Sequence, residues 1–166
     1  MTILELATAE ETMRCYDIID MGRKFQQEQG FTQWTKEYPN LQTIQQDISD
    51  NKGFVVKVDQ VIAGYMCIDF SGEPAYENIE GEWHSSENYA VVHRMAFAPE
   101  FRGSGLSDAV WKLIEEYCRK NDVRYIRADT DFPNKRMQHI LEKNGFVKCG
   151  IISFQGSGKI AYDKQL

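Results

Sequence analysis

The stretch from Arg94 to Cys118, "RMAFAPEFRGSGLSDAVWKLIEEYC", changes character twice in quick succession. An apolar, strand-like run stops at Pro99. Gly103 and Gly105 follow around a serine, and apolar residues then recur at helical spacing from Leu106 onward. A strand, a glycine loop and a helix N-terminus in that order describe an anion site. The first helical N–H groups lack an intrahelical partner, the helix dipole adds positive potential, and glycine admits an oxygen-rich ligand where a Cβ would collide. Gly103, Ser104, Gly105, Leu106 and Ser107 thus offer a row of main-chain donors suited to a pyrophosphate, with Arg102 beside them. The plainer reading is a β-to-α turn in which glycine only supplies a positive φ.

Two common nucleotide loops fit poorly. A Walker loop needs a lysine directly after its last glycine, and Leu106 follows Gly105. A dinucleotide fingerprint needs a third glycine where Asp108 stands, and a carboxylate there would crowd phosphates and hinder close helix packing on a sheet.

Working outward, Ile3 to Leu6 reads as a short strand. Thr8 and Glu11 form a capping box before a helix whose Cys15, Ile18, Ile19, Gly22 and Phe25 repeat at helical spacing. An aromatic loop, "QGFTQWTKEYPN", leads to a second helix around Leu41, Ile44 and Ile48. Phe54–Val58 and Val61–Phe70 read as a hairpin turning at Asp59-Gln60, with a bulge at Gly64. Ser71 to Asn88 has no period and holds Glu73, Glu77, Glu80, Glu82 and Glu87; unstructured loops of that length are commonly functional. Strands are expected at Tyr89–Phe97, Val123–Ala128, Phe146–Phe154 and Ile160–Tyr162, the last two around "QGSGK", and helices at Leu106–Arg119 and Asn134–Lys143. The order is that of an α/β (α+β) protein with a single mixed sheet flanked by helices, one domain over residues 1–166.

Composition excludes several classes. With 42% hydrophobic residues the chain is globular rather than disordered, and its length buries roughly two-thirds of the unfolded surface. A net charge of −6 without a basic patch argues against nucleic acid. The start, "MTILELATAEE", is no signal peptide, and no apolar run approaches a membrane span, so a cytoplasmic protein that does not engage membranes is expected. Cys15, Cys67, Cys118 and Cys149 are widely separated and show no metal-ligand spacing; four buried, reduced thiols and no metal are expected.

The stretch resembles the Arg/Gln-x-x-Gly-x-Gly/Ala signature of the GCN5-related N-acetyltransferases, as Arg102-Gly103-Ser104-Gly105-Leu106-Ser107, with Ser107 in the last place. A second family motif is matched by "NKRMQHILEKNGF", from Asn134 to Gly145-Phe146, and the order of elements agrees over nearly the whole chain. The resemblance implies that the glycine loop holds the pyrophosphate of acetyl-CoA, the co-substrate. It also implies a splayed central strand whose Met95 and Phe97 pair with the pantetheine arm through main-chain atoms around Ala96. Asn134 would bond the pantetheine side, and Arg102, Lys135 and Arg136 would lie toward the adenosine phosphates.

The implied reaction is direct attack of a primary amine, in the first instance a small molecule's, on the thioester. By resemblance the Phe97 N–H is the oxyanion donor. His93, two residues before Met95 and so on the same face of the strand, matches a histidine that serves as base in arylalkylamine N-acetyltransferases. A half-buried structural histidine is the alternative. The family's usual acid, a tyrosine seven residues after Asn134, is replaced by Leu141, leaving His139, Cys149, Tyr162 or water. On the acceptor side stand Trp34, Tyr76, Glu80, Glu82 and Trp83, with Phe31, Tyr38 and His84 nearby in sequence; carboxylates beside aromatic faces suit a cationic amine. Acetylation of a protein lysine or N-terminus, and a weakly catalytic acyl-CoA-binding module, are the other functional readings. A homodimer is compatible with the sequence.

Overall fold

The computed structural model describes all 166 residues. In chain order it contains β1 (Thr2–Leu6), a 3-10 turn at Ala9–Glu11, α1 (Thr12–Glu28), α2 (Leu41–Ser49), β2 (Gly53–Val58), β3 (Val61–Asp69), a 3-10 turn at Pro74–Glu77, β4 (Glu80–Gly81), β5 (Ala90–Phe97), a 3-10 turn at Pro99–Phe101, α3 (Leu106–Lys120), β6 (Tyr125–Thr130), α4 (Lys135–Lys143), β7 (Val147–Phe154) and β8 (Ser157–Gln165). The strands form one mixed eight-stranded sheet in the order β1-β2-β3-β5-β6-β8-β7-β4. No helix is long and apolar enough to cross a membrane. The chain divides into two compact units, Met1–Ile68 with His93–Leu113, and Asp69–Val92 with Ile114–Leu166.

In the first unit, α1 buries Cys15, Ile18, Ile19 and Gly22, a stripe at helical spacing, on a core that includes Ile44, Val55 and Tyr65. Gly22 cannot be larger: a Cβ there would stand 2.9 Å from the Trp34 ring and 3.2 Å from the Ala96 Cβ. The buried Arg23 joins α1 to the following loop by donating to the Thr35 and Pro39 carbonyls. The β2–β3 hairpin turns on Asp59 and Gln60, both at positive φ, the pairing whose twist suits adjacent strands. The register skips between Val56, opposite Gly64, and Lys57, opposite Ile62. Ala63 is thus the extra residue of the bulge expected at Gly64.

In the second unit, β7 and β8 turn on Gln155 and Gly156, so β8 resumes at Ser157 and runs far beyond the short closing strand expected at Ile160–Tyr162. Expected as unstructured, Ser71–Asn88 instead contains a 3-10 turn and β4. That two-residue strand pairs Glu80 with Ile151 and Gly81 with Gly150. The approach is backbone to backbone: a Cβ on Gly81 would stand 2.2 Å from the Cys149 carbonyl oxygen, and one on Gly150 2.0 Å from that of Glu80. Tyr76, Val91, Ile152 and Ala161 form the core beneath this segment. Cys15, Cys67 and Cys118 are buried free thiols as expected, but Cys149 is only half-buried, because β7 lies next to a strand of just two residues.

Candidate active site

The glycine loop has the geometry an anion cradle requires. Gly103 and Gly105 lie at φ +75° and +80°, conformations a side chain rarely adopts, and a Cβ on either would meet nothing within 4 Å. Both glycines and Ser104 are exposed, Leu106 is buried, and α3 begins directly behind them. The Ser104 hydroxyl donates to the Phe101 carbonyl, which tightens the loop from the 3-10 turn side. Arg102 is turned toward α1. Its guanidinium lies 4.2 Å from the Phe25 ring centroid and donates to the Met21 carbonyl at 3.2 Å.

Upstream of the loop, β5 is interrupted at Arg94, which stands at φ +53°. A non-glycine residue held there costs roughly 1–2 kcal/mol and persists only where its surroundings fix it. Here the fixing group is Asp47 of α2. Its carboxylate receives Arg94 Nε at 2.9 Å, Arg94 Nη2 at 2.6 Å and the Tyr65 hydroxyl at 2.6 Å, while Arg94 Nη1 donates to the Tyr38 hydroxyl at 2.7 Å. Burial works against the guanidinium's charge, but the Cys67 sulfur, Asp47 and Tyr38 outweigh it and raise its pKa above the ordinary arginine value. Burial beside the Asp47 carboxylate likewise pushes the Tyr65 phenol up.

The interruption breaks the strand alternation between His93 and Met95. Three successive residues, His93, Arg94 and Met95, have intermediate burial, so alternation fails and His93 cannot be assigned the face of Met95 by counting in twos. The parallel ladder between β5 and β6 has two rungs, Ala90 with Ile126 and Val91 with Arg127. Met95, Ala96 and Phe97 lie beyond them. Asn134 is the N-cap of α4, its Oδ1 accepting from the Met137 N–H at 3.1 Å. Lys135 and Arg136 are exposed.

No acid stands at the family's tyrosine position, since Leu141 is 1% exposed. Tyr162 is fully buried with an unpartnered hydroxyl, and burial pushes its pKa up to about 12. Burial and then Asp163 push the Cys149 thiol up to about 12 as well. His139 is exposed on α4.

The aromatic residues expected to face an acceptor are engaged within the protein. Trp34 packs over Gly22. The Tyr76 ring is buried and its hydroxyl donates to Asp129 at 2.6 Å. Trp83 donates from its ring nitrogen to the Tyr76 carbonyl, and its face is covered by the chain's own Arg127, 4.2 Å from the ring centroid. Arg127 is equally close to Tyr89, 5.2 Å from Tyr125, and donates to the Ser85 carbonyl. Glu80 and Glu82 are exposed. The carboxylates that line a cavity are different ones. Glu73, Glu77 and Glu87, with Phe70 and Tyr89, surround an open space of about 300 Å³.

Arg94 and Asp47 carried a signal that sequence reading passed over. Asp47 lies three residues after Ile44 and one before Ile48, on the apolar stripe of α2, and an acid on a buried stripe implies a buried cation.

The mixed sheet, the strand interrupted at Arg94 and the left-handed glycine pair at the start of α3 agree with the acetyltransferase resemblance carried by the two sequence motifs. The sequence profile of the acetyltransferase (GNAT) family matches residues 19–146, and the chain belongs to that family. Among solved structures, it is similar to a GNAT-family acetyltransferase from Streptococcus agalactiae, with 32% identity, a TM-score of 0.92 and coverage of 99% of this chain and 95% of that one. A GNAT-family acetyltransferase from Listeria monocytogenes shares the fold at 20% identity and TM-score 0.78, over 99% and 95% of the two chains. AAC(6')-Ib, in complex with ribostamycin and coenzyme A, shares it at 17% identity and TM-score 0.73, over 99% and 93%. No curated protein matches the sequence significantly.

Proposed function

We propose that the chain, acting as one acetyltransferase domain over residues 1–166, transfers the acetyl group of acetyl-CoA to the amine of a small molecule. The observation that carries this reading is the open, left-handed pair Gly103 and Gly105 at the start of α3, in a chain of this family. Main-chain donors of the loop take the pyrophosphate, and Met95 and Phe97 take the pantetheine arm. The amine nitrogen forms a bond to the thioester carbon, and the carbon–sulfur bond breaks. His93 accepts the ammonium proton, the Phe97 N–H stabilises the oxyanion, and a proton from water or a nearby acid reaches the thiolate. Water suits that last role, because Leu141 can donate nothing.

Trp83 does not favour a cationic acceptor, because its face already holds a guanidinium. One relative, AAC(6')-Ib, has been solved with ribostamycin and with kanamycin, aminoglycosides that are cationic amines. Thiol release from acetyl-CoA, measured across a panel of small amines, tests the reading. Release with a polycationic amine, weakened as salt rises, is the expected outcome; at 0.15 M salt exposed charges are screened beyond about 8 Å. Binding of acetyl-CoA without thiol release for any amine would favour the second reading, a non-catalytic acyl-CoA-binding module, for which the buried Leu141 is the specific support.

A further inference from the structure

Three donor atoms of different chemistry converge in the second unit, from positions far apart in the chain. His84 Nδ1 lies 2.7 Å from Asp163 Oδ1, Cys149 Sγ lies 3.4 Å from the same nitrogen, and all three lie within 4.8 Å of one another. We propose that His84, Cys149 and Asp163 form a binding site for a zinc-class divalent transition-metal ion.

The donor set selects the class of ion. One imidazole nitrogen, one sulfur and one carboxylate oxygen suit zinc and its thiophilic neighbours, whereas calcium and magnesium take oxygen alone. A thiolate and a carboxylate together balance the charge of a divalent ion. The spacing also fits. With metal bonds of about 2.0 Å to nitrogen and oxygen and 2.3 Å to sulfur, a tetrahedral ion sets N···O near 3.3 Å and N···S near 3.5 Å. The nitrogen-to-sulfur distance is already met, and the imidazole has to withdraw from Asp163 by roughly half an ångström. It can do so, because the His84 side chain is 56% exposed while that of Asp163 is 3% exposed.

A second observation is the way Asp163 is held. Its Oδ2 accepts the Tyr125 hydroxyl at 2.5 Å and the His84 main-chain N–H at 2.8 Å, which leaves Oδ1 aimed at the imidazole and sulfur. Outer partners that fix a carboxylate's orientation in this way are what metal-ligating groups require. The ion displaces the Cys149 proton to solvent and keeps its fourth position for water. Bound there, it would join the segment carrying Trp83 to β7 and β8. This site stands independently of the acetyl-transfer reading. The wide separation of the three residues is why no ligand spacing was legible in the sequence.

The test uses the full chain, reduced and stripped of metal, with cobalt(II) and then zinc as probes. The expected result is saturable one-to-one cobalt binding with a sulfur-to-cobalt charge-transfer band, displacement by zinc, and a rise in Tm with zinc. Cys149→Ala, at a half-buried position, is expected to stay folded by circular dichroism and to lose both band and Tm rise. Tyr125→Phe, which removes the hydroxyl that donates to Asp163 and accepts from the Ser85 N–H and Arg127 Nε, is expected to weaken binding by about 10–100-fold. No stoichiometric binding by the wild type, or a charge-transfer band that persists in Cys149→Ala, would overturn the proposal.

Discussion

Arg94 and Asp47 close a two-pronged ion pair at 2.9 and 2.6 Å, and the residue that supplies the cation is the one whose backbone is left-handed. Both side chains are nearly buried, at 12% and 8% exposure. Asp47 therefore fixes the interruption in β5 immediately before Met95. Removing one partner of a buried pair strands the other, at about 3–5 kcal/mol. Asp47→Asn is expected to lose stability of that order in urea unfolding, and Arg94→Lys to weaken acetyl-CoA binding, because an ammonium cannot make the planar fork. Wild-type stability in Asp47→Asn would mean the pair does not hold the strand.

The glycine loop gives a sharper test. Acetyl-CoA is expected to raise the Tm of the wild type, since a ligand bound only by the folded state shifts unfolding. Gly105→Ala introduces left-handed strain without charge, and Gly105→Asp adds a carboxylate at the pyrophosphate. The aspartate variant should lose the Tm rise while the alanine variant, with open space around its Cβ, keeps part of it. A folded Gly105→Asp with wild-type affinity would remove the loop from the site.

For His93, the expected effect of alanine is a fall in turnover of roughly two to four orders of magnitude, with acetyl-CoA affinity little changed. The acidic limb of the pH–rate profile should move or disappear. An unchanged profile with near-normal turnover would leave His93 a structural residue beside the interruption at Arg94.

Glu11 supplies a pH-dependent part of stability. Burial alone would raise its pKa, but the Thr8 N–H and the Lys57 ammonium, 2.9 and 3.1 Å away, outweigh burial and hold it below the ordinary glutamate value. Its contribution is therefore present above the unfolded carboxyl pKa of about 4.3 and is lost as pH falls through the lower folded value. Wild type and Glu11→Gln are expected to differ in urea midpoint near neutrality and to converge in acid. A constant difference across that range would dissociate the carboxylate's charge from its effect.

The legible parts of the fold were those written locally. Helical stripes, the Asp59-Gln60 turn and the Gly103–Gly105 loop each follow from neighbours in sequence, and they placed every helix and every strand but one. The exception, β4, has two residues and exists because Gly81 and Gly150 allow two backbones to meet, a condition set across the sheet. The turn at Gln155-Gly156 is tighter than its sequence suggests, since Ser157, Gly158 and Lys159 have turn-like composition yet belong to β8. Within the site, the loop could be read and its strand anchor could not, because Arg94 and Asp47 meet only in the folded chain. Aromatic residues were the least informative. Trp83 has the same composition whether it faces an incoming amine or Arg127.

That last contact invites a complementation experiment. Arg127 is 8% exposed and lies between the Trp83 and Tyr89 rings, each centroid 4.2 Å away. Shortening it to alanine would empty a slot already shaped and polarised for a flat cation, and desolvated contacts of this kind are worth about 2 kcal/mol. Free guanidinium should therefore act on Arg127→Ala as a cofactor at low concentration and as a denaturant at high concentration. The expected Tm curve rises before it falls, whereas that of the wild type only falls. The solvent additive that dissolves most proteins would, over a narrow range, restore this one.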